Sequence, residues 1–192
     1  MEKKLAIIGA GGHGKVVGEI ALLCKFENVD FFDDKVNEIK EFPFSIIGSF
    51  DYLNSCLKNY DAFFVAIGDN NKRYDKLDWL KKKNLNIINL IRPKSTVSKF
   101  TSFGKGTCIM ANAVINPGTQ IKDGVIINTS ASVDHDCLID DFSHISPNCS
   151  LSGNVSVGKF SHLGTGTSVH PGIKIGSNVR TGIGSKVFND LV

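Results

Sequence analysis

The stretch from Val97 to Val187 decides the fold, because its sequence repeats every six residues. Apolar residues occupy fifteen of the sixteen positions read at this spacing, although they make up 42% of the whole chain. The sixteen positions are Val97, Phe103, Ile109, Ile115, Ile121, Ile127, Val133, Ile139, Ile145, Leu151, Val157, Leu163, Val169, Ile175, Thr181 and Val187. Residues four places further on are mostly small, as at Thr107, Ala113 and Ser143. An unbroken six-residue period predicts a parallel β-helix.

The repeat also predicts which side chains lie level with one another. If three six-residue units make one turn of the helix, residues 18 apart stack at neighbouring levels, about 4.8 Å apart as in any sheet. This spacing gives three columns of interest: His135 with Gly153 and Pro171, His144 with His162 and Arg180, and Thr165 with Ile183.

The segment Asn128–Asp136 (NTSASVDHD) is a polar interruption of the repeat. His135 comes two places after the inward-facing Val133, so its ring should point away from the helix, with Asp134 and Asp136 beside it. A neighbouring carboxylate orients an imidazole and stabilises its protonated form, which makes His135 a candidate general base. A solvated loop histidine is the alternative that the residues alone leave open.

The N-terminal part follows a different pattern. The apolar run Lys4–Ile8 leads into Gly9-Ala10-Gly11-Gly12-His13-Gly14, which fits GxGxxG between a strand and a helix. Glycines there let the backbone approach a phosphate, and the helix N-terminus points its N–H groups at it. A second strand, Val29–Phe32, ends in Asp33-Asp34, whose carboxylates could accept hydrogen bonds from a ribose or a base. The pattern predicts nucleotide binding.

Strands and helices alternate up to about residue 91, which predicts a parallel sheet with its ligand at the carboxyl ends of the strands. The further predicted elements are a buried strand over 62–67 that ends near Gly68, a helix over 72–83 with Asn70 as its N-cap, and a strand over 87–90. Arg92-Pro93 breaks the pattern. We therefore predict an α/β domain over 1–92 and a β-helix over 93–192. The first is half of a two-lobed dinucleotide fold, which favours a mononucleotide over NAD.

Composition excludes several classes of protein. The net charge of +3 without a basic cluster argues against nucleic acid or an anionic membrane as a partner. The apolar run Leu5–Ala10 is too short for a signal peptide, and no stretch reaches the eighteen residues of a membrane span. The five cysteines show no CxxC spacing, and Cys137 and Cys149 fall on small-residue positions of the repeat. This pattern predicts that Cys137 and Cys149 pack the core and that the protein resides in a reducing cytoplasm.

The chain resembles the left-handed β-helix (hexapeptide-repeat) acyltransferases. Among them it is similar to the bacterial nucleotide-aminosugar N-acetyltransferases, which are related to sialic acid O-acetyltransferases. The resemblance is carried by Gly9–Lys15 (GAGGHGK), Phe32-Asp33-Asp34, Ala66-Ile67-Gly68-Asp69-Asn70, Leu90-Ile91-Arg92-Pro93 and, most specifically, Asn128–His144 (NTSASVDHDCLIDDFSH). It implies an α/β N-terminal Rossmann-like half-domain followed by an all-β left-handed parallel β-helix. The handedness rests on the resemblance alone.

The same resemblance implies roles for individual residues. His135 would be the general base, tuned by Asp136, where the family more often has Glu. His144 and the backbone N–H of Gly153 would bind the acetyl group, and Thr165 and Ile183 the rest of acetyl-CoA. The nucleotide sugar would contact Gly11, Gly12, His13, Asp33, Asp34 and Gly68. The enzymes of this family are homotrimers with active sites between subunits. They usually continue beyond the last coil into a glycine-proline tail that covers the CoA. The present sequence stops at Asn189–Val192, so we expect this tail to be truncated or missing.

The sequence thus predicts N-acetylation of a nucleotide-linked 4-amino-6-deoxy sugar by direct transfer from acetyl-CoA, without a metal. Three alternatives stay open. The same machinery could O-acetylate a sialic acid or a related sugar. A trimeric metal hydratase of the γ-carbonic anhydrase type could use the same helix, but it needs three histidines at matched levels, and the column of His144 and His162 continues to Arg180. The chain could also be a non-catalytic nucleotide-binding scaffold.

Overall fold

The computed structural model describes residues 3–192, and the chain divides after Leu90 into two compact units. The first unit is α/β and the second consists of short parallel strands. The division lies two residues before the boundary expected from Arg92-Pro93. The reason is that Leu90–Ile91 already forms a strand of one of the three sheets that run through the second unit.

The first unit contains a four-stranded parallel sheet with helices in its connections. Its elements are β1 (Lys4–Ile8), α1 (Gly12–Leu23), β2 (Asn28–Phe32), β3 (Ile46–Gly48), α2 (Phe50–Ser55), a 3₁₀ turn (Leu57–Asn59), β4 (Ala62–Val65) and α3 (Asn70–Lys82). The strand order is β3-β2-β1-β4. In β1, a central strand, and in β4 at the edge, all residues but Lys4 are buried, as expected for a parallel sheet covered on both faces.

Two local predictions for the first unit were wrong. The N-cap of α3 is Asp69, not Asn70: Asp69 has an extended backbone, and its side chain accepts a hydrogen bond from the Lys72 N–H. Asn70 is the first helical residue, and its side-chain oxygen accepts from Arg73. The expected strand over 87–90 is reduced to a single bridge between Phe63 and Ile87. The next strand along the chain belongs to the second unit's sheets.

The second unit has three parallel sheets, which form the faces of a three-sided helix. We call them the first, second and third faces, in the order in which the chain visits them. The first face contains β5 (Leu90–Ile91), β8 (Cys108–Ile109), β11 (Ile126–Ile127), β14 (His144–Ile145) and β17 (His162–Leu163). The second contains β6 (Thr96–Val97), β9 (Val114–Ile115), β12 (Ser132–Val133), β15 (Ser150–Leu151), β18 (Ser168–Val169) and β20 (Lys186–Val187). The third contains β7 (Ser102–Phe103), β10 (Gln120–Ile121), β13 (Leu138–Ile139), β16 (Ser156–Val157) and β19 (Lys174–Ile175).

Strand partners within each face are 18 residues apart, as the repeat predicts; Val133, for example, pairs with Leu151. The periodic apolar residues fill the interior, and most are less than 3% exposed. The small residues four places after them also point inward and satisfy backbone carbonyls of the next coil. Thr119 Oγ1 donates to the Asp134 carbonyl at 2.7 Å, and Ser143 Oγ donates to the Gly158 carbonyl at 2.8 Å. The Cys137 and Cys149 thiols occupy the same places, so they pack the core as predicted.

The corners between faces share one backbone feature. From Gly106 to Gly184, every sixth residue has a positive φ, the left-handed conformation that turns the chain from one face to the next. Glycine or asparagine, which adopt this conformation most easily, fills ten of these fourteen places. The others are Ser130, Asp136, Phe142 and Phe160. Asp136 therefore has its unusual backbone because it occupies a corner position of the repeat.

Candidate active site and nucleotide pocket

The candidate general base lies at a corner between the second and third faces. His135 and Asp136 follow β12, and both side chains are more than half exposed, at 54% and 60%. His135 Nδ1 lies 2.9 Å from Asp136 Oδ2. On the other side, Asp134 Oδ1 accepts hydrogen bonds from the His135 N–H at 2.8 Å and from Asn116 Nδ2 at 2.7 Å. Asp136 thus orients the imidazole, and Asp134 holds the backbone that carries it.

These contacts determine which ring nitrogen can accept a proton. An ionised carboxylate only accepts hydrogen bonds, so Nδ1 carries the proton towards Asp136 and Nε2 keeps its lone pair. The hydrogen bond to Asp136 and the negative charge of Asp134 raise the pKa of His135 above its ordinary value. Asp134 is itself held ionised, because the hydrogen bonds from Asn116 and His135 lower its pKa. The arrangement can hold a proton transferred to Nε2.

Gly153 lies at the same corner one coil later, directly beside the His135 ring. A β-carbon built on Gly153 would be 2.6 Å from both Cε1 and Nε2 of His135, so a side chain there would displace the ring from this position. Among residues 3–192 the Gly153 N–H donates to no acceptor, whereas the Gly153 carbonyl accepts from the Gly172 N–H. The stacking predicted from the 18-residue spacing therefore exists, and it leaves a backbone donor available next to Nε2.

The residues predicted to bind acetyl-CoA do not converge within one chain. Gly153 shares the corner of His135, whereas His144 lies on the first face in β14. Thr165 and Ile183 are both at the corner between the first and second faces, where the Gly184 N–H donates to the Thr165 carbonyl. Ile183 is 86% exposed. In a single chain the predicted set is thus divided between two corners and a face.

His144 is part of a column on the first face. Its ring stacks on that of His162 with centroids 4.4 Å apart, and its Nε2 lies 3.0 Å from Asn128 Nδ2. His162 Nε2 in turn lies 3.0 Å from Ser146 Oγ, and His162 pairs with Arg180 at the next level. The column predicted from the repeat is therefore present.

The six residues predicted to contact the nucleotide sugar line one cavity of about 560 Å³ in the first unit. They are Gly11, Gly12, His13, Asp33, Asp34 and Gly68. The cavity lies where the sheet strands end, at the position expected for a parallel α/β unit. The sequence pattern therefore located a real concavity, although the roles of these residues in binding stay a prediction.

The glycines of the GxGxxG turn fall into two pairs with different structural roles. Gly9 has a φ of +107°, and a β-carbon on Gly14 would overlap the Gly9 carbonyl oxygen, so Gly14 allows α1 to pack closely on the turn. At Gly11 and Gly12, by contrast, none of the described atoms lies within 4 Å of such a carbon. The first pair shapes the turn, and the second pair leaves the backbone open towards the cavity.

The two aspartates are held by backbone groups. Asp33 Oδ2 accepts the Ala10 N–H at 2.8 Å and thereby ties the end of β2 to the glycine turn, and Asp34 Oδ1 accepts the Phe50 N–H at 2.9 Å. Lys76 Nζ lies 3.4 Å from the centroid of the Phe50 ring and 3.8 Å from Asp34 Oδ2. The carboxylates are thus fixed in the cavity wall.

The sequence reading missed Phe50, Lys72 and Lys76 as cavity residues. Lys72 and Lys76 are four places apart on α3, so they share one face of the helix. That spacing was the available signal. Their amines and that of Lys35, which also lines the cavity, balance the carboxylates of Asp33, Asp34 and Asp75 in its wall.

His13 is a partly buried residue at the start of α1, and among residues 3–192 its Nε2 has no hydrogen-bond partner. Burial, followed by the positive charge of Arg73, lowers its pKa from 6.5 to about 4. Arg73 is fully buried and donates to the Ile67 and Gly68 carbonyls, both at 3.0 Å. Arg73 thereby fixes the loop after β4, and His13 stays neutral near pH 7.

We expect His13 to make the stability of the first unit depend on pH. Between pH 4 and 6.5 the unfolded chain binds a proton at His13 that the folded unit does not, so stability rises with pH in this window. The full difference corresponds to at most about 3 kcal/mol. Hydrogen exchange of the β1 and α1 amides at about pH 4.5 and pH 7.5 measures it. His13→Gln should reduce the pH dependence, and an unchanged dependence in that variant would contradict the assignment.

Residues 3–192 include no helix long and apolar enough to span a bilayer. In the same residues, no group of three or more His, Cys, Asp or Glu side chains could hold a metal ion.

Comparison with known proteins decides the family. The acetyltransferase domain of PglB from Neisseria gonorrhoeae FA1090, solved in complex with acetyl coenzyme A, is 40% identical to this chain. Its structure superposes with a TM-score of 0.94 over all of this chain and 93% of that one. The chain belongs to the left-handed β-helix acetyltransferases. The fold class predicted from the sequence, an α/β half-domain followed by a left-handed parallel β-helix, is thereby confirmed.

Other relatives agree with this membership. Residues 4–80 match the family model of the PglD N-terminal domain. PerB from Caulobacter crescentus, solved in complex with CoA and GDP-perosamine, is 34% identical and superposes with a TM-score of 0.90 over the whole chain and 91% of PerB. UDP-N-acetylbacillosamine N-acetyltransferase from Bacillus subtilis (strain 168) is 37% identical over 113 residues, or 57% of this chain. The chain spans about half the length of that curated relative, 52%.

Proposed function

We propose that this chain is an acetyl-CoA-dependent N-acetyltransferase that acts on the amine of a nucleotide-linked 4-amino-6-deoxy sugar. The observation that carries the proposal is the corner formed by His135, Asp136 and Gly153. There an imidazole with a bare Nε2 lies beside an unused backbone N–H. The related structures of PglB and PerB, which hold acetyl-CoA or CoA and, in PerB, a nucleotide-linked aminosugar, support the choice of substrates.

In the proposed step, the amine nitrogen of the sugar attacks the thioester carbonyl carbon. His135 Nε2 takes the proton that the amine loses, and Asp136 stabilises the imidazolium through Nδ1. The Gly153 N–H donates to the carbonyl oxygen as negative charge develops on it. The carbon–sulfur bond then breaks, and the leaving thiolate takes the proton from the His135 imidazolium, so the products are an amide, free CoA and neutral His135.

The proposal needs no acyl-enzyme intermediate. Cys137 and Cys149 are the two cysteines nearest the corner in sequence, and both are buried in the core with their thiols directed at backbone carbonyls. Burial raises the pKa of each thiol, which disfavours the thiolate that a nucleophile requires. Direct transfer between the two bound substrates is the simpler reaction.

In this proposal the cavity of the first unit binds the nucleotide. The N-terminus of α1 and the lysines of the wall supply positive charge for phosphates, and Gly11 and Gly12 allow close approach of the backbone. The neutral His13 and the fixed carboxylates of Asp33 and Asp34 offer polar contacts for the ribose, base or sugar. Gly68 lines the cavity from the loop after β4, and Arg73 holds this loop by donating to the Gly68 carbonyl.

We also propose that the enzyme works as a cytoplasmic homotrimer with each active site between two subunits. The division of His135, His144, Thr165 and Ile183 between two corners and a face of one chain supports a site completed by a second copy. The five free cysteines accord with a reducing compartment. Light scattering of the purified protein, with and without acetyl-CoA, tests the assembly.

The acceptor is tested by following thiol release from acetyl-CoA. UDP-, GDP- and dTDP-linked 4-amino-6-deoxy sugars are compared with the same aminosugars without a nucleotide. We expect one linked series to react with a kcat/KM about 10² or more above that of the free sugar, because the nucleotide supplies binding and orientation. Equal turnover of linked and free sugars would contradict the role of the first-unit cavity.

The pH dependence of the reaction should report on His135. A general base must be neutral, so kcat/KM should rise with pH through a midpoint above the ordinary value for histidine, since Asp136 and Asp134 raise the His135 pKa. Asp136→Asn should move this midpoint to lower pH and lower the plateau. If the midpoint does not move, Asp136 does not tune the base.

A further inference from the structure

Asp136 is the residue that orients the proposed base, but little in its own surroundings holds it in place. Its side chain is 60% exposed, so burial does not select its orientation. One carboxylate oxygen, Oδ2, contacts His135 Nδ1. The other, Oδ1, lies against Gly118, which occupies the same corner position one coil earlier. The residue against which this carboxylate packs is therefore a glycine.

The Asp136 carboxylate occupies the space that a side chain at position 118 would need. A β-carbon built on Gly118 would overlap Asp136 Oδ1 and come within 3.2 Å of its Cγ. The two oxygens belong to one rigid carboxylate, so an atom that displaces Oδ1 also moves Oδ2 away from His135. The two backbones cannot separate easily, because the Asp136 N–H donates to the carbonyl of Pro117 at 3.1 Å.

We propose that Gly118 is a positioning residue for the reaction: its missing side chain seats the Asp136 carboxylate against His135 Nδ1. The inference deepens, and rests on, the proposed function, in which His135 is the base. Gly118, one coil before Asp136, leaves space for the Asp136 carboxylate. Gly153, one coil after His135, leaves space for the His135 ring in the same way. The reactive pair is thus seated between two glycines of neighbouring coils.

Gly172 provides a matched control. It occupies the same corner three coils after Gly118 and has nearly the same φ, +74° against +78°. A β-carbon on Gly172 would meet no described atom within 4 Å. An alanine at either position has the same backbone strain, so only the Gly118 variant adds the overlap with Asp136.

The test is an NMR titration of His135 in protein with labelled histidine imidazoles, the signal being assigned by its loss in His135→Gln. In Gly118→Ala we expect the His135 midpoint to fall to about that of Asp136→Asn, whereas Gly172→Ala should titrate like the wild type. Gly118→Asn separates backbone strain from overlap, because asparagine tolerates a positive φ but has a β-carbon, and it should behave like Gly118→Ala. A wild-type midpoint in both folded Gly118 variants would overturn the proposal.

Kinetics supply the second readout. Gly118→Ala should lower kcat about tenfold with little change in the KM for acetyl-CoA, because it misplaces a group that acts through His135. In an Asp136→Asn background the same change should have almost no further effect. Full additivity of the two changes would overturn the proposal. The titration needs no substrate, so a protein that lacked acetyltransferase activity could still confirm or refute the placement of Asp136.

Discussion

Replacing His135 with alanine should lower kcat for acetyl transfer by about 10² or more. At this corner His135 Nε2 is the proton acceptor that lies directly beside Gly153, since Nδ1 is occupied by Asp136. Because the base acts in the transition state, kcat and kcat/KM should fall together, while the KM for acetyl-CoA should change little. Steady-state thiol release with a reactive nucleotide-linked aminosugar measures all three.

The control for this experiment is His170→Ala. His170 is another exposed histidine, two coils after Asp134 in the same column, and no role in the reaction is proposed for it. It should retain kcat within about twofold. If His135→Ala kept nearly full activity, the assignment of His135 as the general base would be wrong, whatever the nature of the acceptor.

Gly14→Ala should unfold or strongly loosen the first unit. The added carbon would overlap the backbone carbonyl oxygen of Gly9, and a backbone atom cannot rotate away as a side chain can. The N-terminal turn of α1 would have to separate from the glycine turn, at a cost of about 3 kcal/mol or more. Nucleotide binding should be lost with the shape of the turn.

Gly12→Ala separates stability from binding in the same motif. Its β-carbon would meet no atom of the described residues within 4 Å, and alanine is favourable at the start of a helix. We expect unchanged protection of the β1 and α1 amides in hydrogen exchange, but weaker nucleotide binding by calorimetry, because Gly12 lines the cavity. If Gly14→Ala left amide protection at the wild-type level, the close packing assigned to Gly14 would be refuted.

The geometry of the second unit could be predicted well because its sequence is periodic. A six-residue period fixes which side chains point inward, and a step of 18 fixes which residues are level with each other. That arithmetic was sufficient to place Gly153 beside His135 and His162 on His144. The same period also marks the corners with glycine or asparagine, and that signal would have drawn attention to Gly118.

The remaining features depend on information that spacing does not contain. The step of 18 puts Thr165 and Ile183 in a different column from His135, but it does not give side-chain exposure, such as the 86% of Ile183. In the first unit, the sequence indicated Asp33 and Asp34 as ligand residues but could not show that both also accept backbone N–H groups. The sequence does not distinguish Asp69 from Asn70 as the N-cap of α3, because both are good caps and only the backbone conformation separates them.

The central claim is acetyl transfer to a sugar amine, and one comparison tests it most directly. The purified protein is incubated with acetyl-CoA and either a nucleotide-linked 4-amino-6-deoxy sugar or its analogue with a hydroxyl in place of the amine, and the products are identified by mass spectrometry. We predict that the amino sugar gains one acetyl group at nitrogen and that the hydroxyl analogue is recovered unchanged. Acetylation of the hydroxyl analogue at a comparable rate, or no acetylation of the amine with any linked nucleotide, would contradict the proposed function.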